Sequence, residues 1–101
     1  MFDISEKFLR ISEKLDPRSP NTLMSLAVNY HLSRKPKQAI DILKRYLELD
    51  PSNQQALRLS IQNAGIVRDR DFADKALDLM ERYNPSALPL ANSYIKNAFS
   101  D

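Results

Sequence analysis

The chain has 101 residues, 43% of them apolar, and carries 15 Lys and Arg against 13 Asp and Glu. A chain of this size suits one domain whose elements are regular and closely spaced, and a net charge of +2 spread along the chain is weak footing for nucleic-acid binding. The absence of cysteine excludes disulfides, thiolate catalysis and cysteine-based zinc sites, and leaves cytoplasm and periplasm equally open.

One glycine and no tryptophan, among many Leu, Ala and charged residues, point to an all-α protein. No apolar run approaches the roughly 18 residues of a membrane span. The opening MFDISEKFLR has acids where a signal peptide would be basic and then apolar. A soluble chain without a membrane segment is expected.

In chain order, residues 2–15 form the first helical pattern. Ile4, Phe8, Ile11 and Leu15 make one apolar stripe, which Phe2 and Leu9 widen. Pro17 ends it. Ser19 is the expected N-cap of a second helix with Pro20 at its first position, and Leu23, Leu26, Ala27 and Tyr30 follow at helical spacing. A short link then leads to a third helix, striped by Ala39, Ile40, Leu43, Tyr46 and Leu47, so the two should lie antiparallel. Asp50-Pro51 closes the pair, because proline cannot continue a helix and pushes its predecessor out of the helical region.

The pattern recurs. Leu57, Ser60, Ile61 and Ala64, then Ala73 and Leu77, fall at corresponding places, and Asn84-Pro85 closes the second pair. Pro17, Pro51 and Pro85 are evenly spaced along the chain, and Ser52 and Ser86 are expected to help cap the helices that follow. A last helix over 88–100 has an apolar face of Ala91, Tyr94, Ile95 and Ala98, and a polar one that includes Asn92, Ser93 and Lys96.

This unit resembles the tetratricopeptide repeat family, whose repeat of about 34 residues reads W-x2-L-G-x2-Y, then A-x3-F, then P. Leu23, Leu26, Ala27, Tyr30, Ala39, Leu43 and Pro51 match it well, and their counterparts from Leu57 to Pro85 match it more loosely. Leucine replaces the first aromatic twice, and Arg34 and Arg68 stand where glycine is usual between the helices. The resemblance implies an α-solenoid of antiparallel helical hairpins with about six helices. In that register one domain spans 1–101: the second helix of an incomplete repeat over 1–17, repeats over 20–53 and 54–87, and a C-terminal capping helix over 88–101. The N-terminal stripe then lacks a partner helix. Its cover is expected from an upstream part of a longer protein, or from a second copy bound through Phe2, Ile4, Phe8 and Ile11.

Few residues fall in patterns that carry chemistry. His31 stands alone, without the second ligand that a metal site needs. The acidic pairs Asp69/Asp71, Asp74/Asp78 and Glu48/Asp50 fall at helix starts, on polar faces or in turns, where capping and solubility explain them. Gly65 cannot form a phosphate loop by itself and is expected to let helices approach closely or to mark a bend in its helix. Met24 and Met80 sit on apolar stripes and read as core filling, with Met24 edging onto the inner surface. Arg34, Lys35, Lys37, Lys44 and Arg45 make a basic cluster, but Asp41 lies within it and no exposed aromatics alternate with it, so it reads as a solvated face rather than an RNA site. No enzyme activity and no cofactor or metal are expected.

Members of the resembled family hold a peptide or a segment of another protein in a concave groove lined by the first helix of each repeat. The groove positions implied here are Asn21, Met24, Ser25, Val28, His31 and Leu32, then Gln55, Arg58, Leu59, Gln62 and Ile66, then Pro89, Asn92, Ser93 and Lys96. The subfamily that clamps a terminal carboxylate would need Lys, Asn or Arg where Met24, Val28, Leu59, Pro89 and Ser93 stand, so that specificity is not expected. Arg58 and Lys96 among amides point to a partner carrying an acidic group. Self-association through the ends is the alternative, and RNA binding by a helical repeat comes third.

Overall fold

A computed structural model describes residues 19–100. The expected helix over 2–15, the Pro17 turn, and the self-association residues Phe2, Ile4, Phe8 and Ile11 lie outside the described residues. Within them the protein is all-helical: α1 (Pro20–Leu32), α2 (Pro36–Leu49), α3 (Gln54–Val67), α4 (Arg70–Tyr83) and α5 (Leu88–Ala98). A 3-10 turn, Pro85–Ala87, leads into α5, and no strand occurs among the described residues.

Local chemistry explains most boundaries. The Ser19 hydroxyl accepts from the Thr22 amide at 3.4 Å and Pro20 opens α1, where its missing N–H costs nothing. Asn53 Oδ1 accepts from the Ala56 amide at 3.0 Å, and Asp69 Oδ1 from the Phe72 amide at 3.1 Å, capping α3 and α4. Ser52 and Ser86 do not cap the following helices. The Ser52 hydroxyl donates back to Asp50 Oδ1 at 3.0 Å and the Ser86 hydroxyl to Asn84 Oδ1 at 3.2 Å. Each serine closes the turn that proline opens, because the Asp or Asn side chain two residues back offers an acceptor within reach. Asn53 is left to cap α3, and α5 starts without a side-chain cap.

Both first helices end alike. Arg34 and Arg68 take left-handed backbone at φ 59° and 60°, which lets the next amide, Lys35 or Asp69, donate to the carbonyl of Tyr30 or Ala64 at 2.9 Å. This is the wrap that glycine usually supplies, and a side chain there costs about 1 kcal/mol.

Packing follows chain order. α1 touches α2 and α3, α2 touches α3, and α3 touches α4 and α5, which also touch each other. α3 is therefore the one described helix in contact with all four others. The interior holds Leu23, Leu26 and Tyr30 of α1 against Ile42, Leu43 and Tyr46 of α2, continuing through Leu57 and Ile61 to Phe72 and Met80. Ala39 and Ala73, which hold the same place in the two pairs, are fully buried. Their small size is what lets the helix axes come close.

Gly65 does what its isolation implied. A Cβ there would lie 2.8 Å from Tyr94 Cε1 and 3.1 Å from Ala98 Cβ, so α5 lies directly against the backbone of α3. The Tyr94 hydroxyl completes the contact by donating to the carbonyl of Gln62 at 3.0 Å.

Candidate functional site

α1 and α3, the first helices of the two pairs, and α5 form a row in which neighbours touch. Along α1, Met24, Val28 and Leu32 recur at every fourth position and so line one face. Arg58, Gln62 and Ile66 repeat the line on α3, and Asn92 and Lys96 repeat it on α5. Met24 and Val28 are half-buried while Leu32 is exposed. Arg58 and Ile66 are exposed, Gln62 is half-buried, and Asn92 and Lys96 are exposed. Asn21, Ser25, Gln55, Pro89 and Ser93 are also exposed. From α1 to α5 the line changes from apolar, through mixed, to polar.

Two expected positions are occupied otherwise. Leu59 is buried, because its place on α3 faces the core rather than the open side. His31 is half-buried and held at the α1–α3 contact, where Asn63 Nδ2 lies 3.1 Å from its Nδ1 and donates to the Leu59 carbonyl at 2.8 Å. Asn63 itself is buried. Its part could not be read from the sequence, since its partner stands on another helix, remote along the chain.

Charge divides the molecule. Every Asp and Glu among the described residues lies on α2, α4 or the turns that flank them: Asp41, Glu48 and Asp50 in one pair, Asp69, Asp71, Asp74, Asp78 and Glu81 in the other. α1, α3 and α5 hold none, and their only permanent charges are Arg58 and Lys96. On α4 the charges partly neutralise each other, as where Arg70 Nε meets Asp74 Oδ1 at 3.2 Å. Neither Arg58 nor Lys96 has such a partner among the described residues.

A cavity of about 300 Å³ opens between α3 and α5. Ile61, Met80 and Ala91, all buried, form its floor. Arg58 and Gln62 stand on one wall, and Leu90 and Tyr94 on the other. Gln54, Asn84 and Ala87 also line it. Leu90 is 80% exposed, the most open large apolar side chain described. Sequence reasoning passed over Leu90 and placed Tyr94 on a packed face. The available signal was an extra leucine beside Pro89 that the stripe of Ala91 and Ile95 does not need.

The basic cluster does not gather into a cationic surface. Arg34, Lys37 and Lys44 are exposed and Lys35 and Arg45 half-buried. The hollow beside Lys37 and Lys44 also contains Asp41 and Asp69, and Lys44 Nζ sits 5.4 Å from the centre of the Phe72 ring. Among the described residues no three His, Cys, Asp or Glu side chains converge as a metal would require, and no helix is long and apolar enough to cross a membrane. Compared with known proteins, the chain matches no family model and no curated protein sequence.

Proposed function

We propose that this chain is a tetratricopeptide-type helical-repeat scaffold that acts by binding rather than by catalysis, holding a segment of another protein along the row formed by α1, α3 and α5. The fold part of the reading is supported by recurrence at one period. α1, α3 and α5 begin at Pro20, Gln54 and Leu88, and α2 and α4 at Pro36 and Arg70, all at the same step along the chain. The left-handed arginines and the Asp/Asn-Pro-Ser turns keep that step. Contacts that run between chain neighbours and along α1, α3 and α5 support the solenoid reading.

The observation that carries the functional part is the division of charge. A row without acids, bearing Arg58 and Lys96 without acidic partners among the described residues and set among amides and apolar side chains, is a surface on which an acidic segment gains Coulomb energy. Amides such as Gln55, Gln62 and Asn92 add donors and acceptors for a peptide backbone.

The test is cross-linking capture from the source organism's lysate with the wild type and an Arg58→Glu/Lys96→Glu variant of unchanged melting temperature. Both residues are exposed, so the fold should tolerate the change. A protein recovered by the wild type and lost by the variant is the expected result. Equal recovery by both, or recovery of the chain alone, would move binding away from this row, the latter toward self-association.

A further inference from the structure

The cavity between α3 and α5 has a shape and a charge that together define an occupant. We infer that it seats one large apolar side chain of a partner segment, with an Asp or Glu immediately beside that residue paired to Arg58. The inference rests on the scaffold reading above and names the chemistry of the segment that the row would hold.

Volume sets the first limit. About 300 Å³ is at the small end for a ligand site, so it admits a side chain or two rather than a cofactor. The floor of Ile61, Met80 and Ala91 offers no charge and no hydrogen bond, and Leu90 and the Tyr94 ring extend the apolar wall outward. Leu90 is 80% exposed, so an apolar guest placed against it removes from water a surface that the protein alone leaves wet. Tyr94 is fixed from behind: its hydroxyl is spent on the Gln62 carbonyl, which leaves the ring as a wall rather than a donor toward the guest.

Charge sets the second limit. Arg58 stands on the opposite wall, exposed and without an acidic partner among the described residues. A guanidinium at the edge of an apolar hollow meets a carboxylate in a forked geometry, and the nearby apolar walls strengthen the pair by excluding water. No carboxylate lies on α1, α3 or α5 to compete for it. A lone apolar guest would leave this cation unused, and a lone acid would leave the floor wet. A residue pair satisfies both.

The test is to pan a phage-displayed library of random dodecapeptides on the full chain, then measure the selected peptides by fluorescence anisotropy and by amide chemical shifts. The expected consensus is a Leu, Ile, Met or Phe next to an Asp or Glu. Replacing either consensus residue by alanine, or making Arg58→Glu or Leu90→Asp in the protein, should weaken binding by at least about tenfold. Changing the peptide acid to lysine should restore binding to Arg58→Glu. Shifts should centre on Leu90, Ala91 and Tyr94. A consensus without an acid, or binding along α1 and α3 that Arg58→Glu leaves intact, would overturn the inference while leaving the scaffold reading in place. No enriched peptide, or shifts confined to α2 and α4, would overturn both.

Discussion

The two complete hairpins, α1–α2 and α3–α4, lay the same backbone under different side chains. Their helices start at one constant offset, their inner turns use left-handed arginines at φ 59° and 60°, and each second helix ends in a proline turn closed by serine. Their open faces differ. α1 presents Met24, Val28 and Leu32, whereas α3 presents Arg58, Gln62 and Ile66. The contact each first helix makes with the next differs too: His31 meets Asn63 between α1 and α3, and Tyr94 closes over Gly65 between α3 and α5. A few small or turn-forming residues hold the register, so the remaining positions can vary without moving the backbone.

The largest test of that equivalence is to substitute its two alanines. Ala39→Arg and Ala73→Arg should each cost more than about 3 kcal/mol, since both place a long cation where the native residue is fully buried. Chemical denaturation would measure this, and near-native stability in either variant would break the correspondence between hairpins.

Gly65→Ala probes the asymmetric contact. Alanine is the better helix former by about 1 kcal/mol, yet its Cβ would press on Tyr94 Cε1 at 2.8 Å and dislodge the bond to Gln62. A net loss of about 1–2 kcal/mol is expected. Most of it should vanish in a Tyr94→Ala background, and a double-mutant cycle reading near zero would remove the contact from the account.

Smaller and opposite in sign is the effect expected at the turns. Arg34→Gly should stabilise the protein by about 0.5–1 kcal/mol, because glycine takes the left-handed backbone without a Cβ penalty. Arg68→Gly relieves the same strain, and thermal melts of the two variants compare the hairpins directly.

The smallest effect separates the hairpins by pH. Burial, followed by the nearby charge and hydrogen bond of Asp50, raises the Tyr46 pKa above its ordinary 10.0; the corresponding residue in the second hairpin is Met80, which does not titrate. Above pH 10 the unfolded tyrosine releases its proton before the folded one does, so stability present below that pH is lost as pH rises. Tyr46→Phe should lose less stability than the wild type between neutral pH and pH 11, and parallel curves would exclude this contribution.

Much of the backbone was legible because its causes are local. Ser19 and Pro20 act on α1 within one turn, and Pro51 and Pro85 end helices by their own ring. The alternation of buried and exposed positions follows from 3.6 residues per turn. Even the close approach at Gly65 had a signal, as the chain's only glycine within an apolar stripe. The serine turns were misread because Ser52 and Ser86 had two acceptable partners nearby, and the Asp or Asn side chain behind them won over the helix ahead.

The sequence by itself determined the helical class, the period of the repeat and the lack of acids in three of the five described helices, since each is a property of neighbours along the chain. Only the tertiary structure decided that Leu59 turns inward, that Asn63 reaches His31, and that Arg58, Leu90 and Tyr94 surround one hollow. Those relations join residues of different helices, and their geometry depends on how closely one helix lies on the next, which no local pattern specifies.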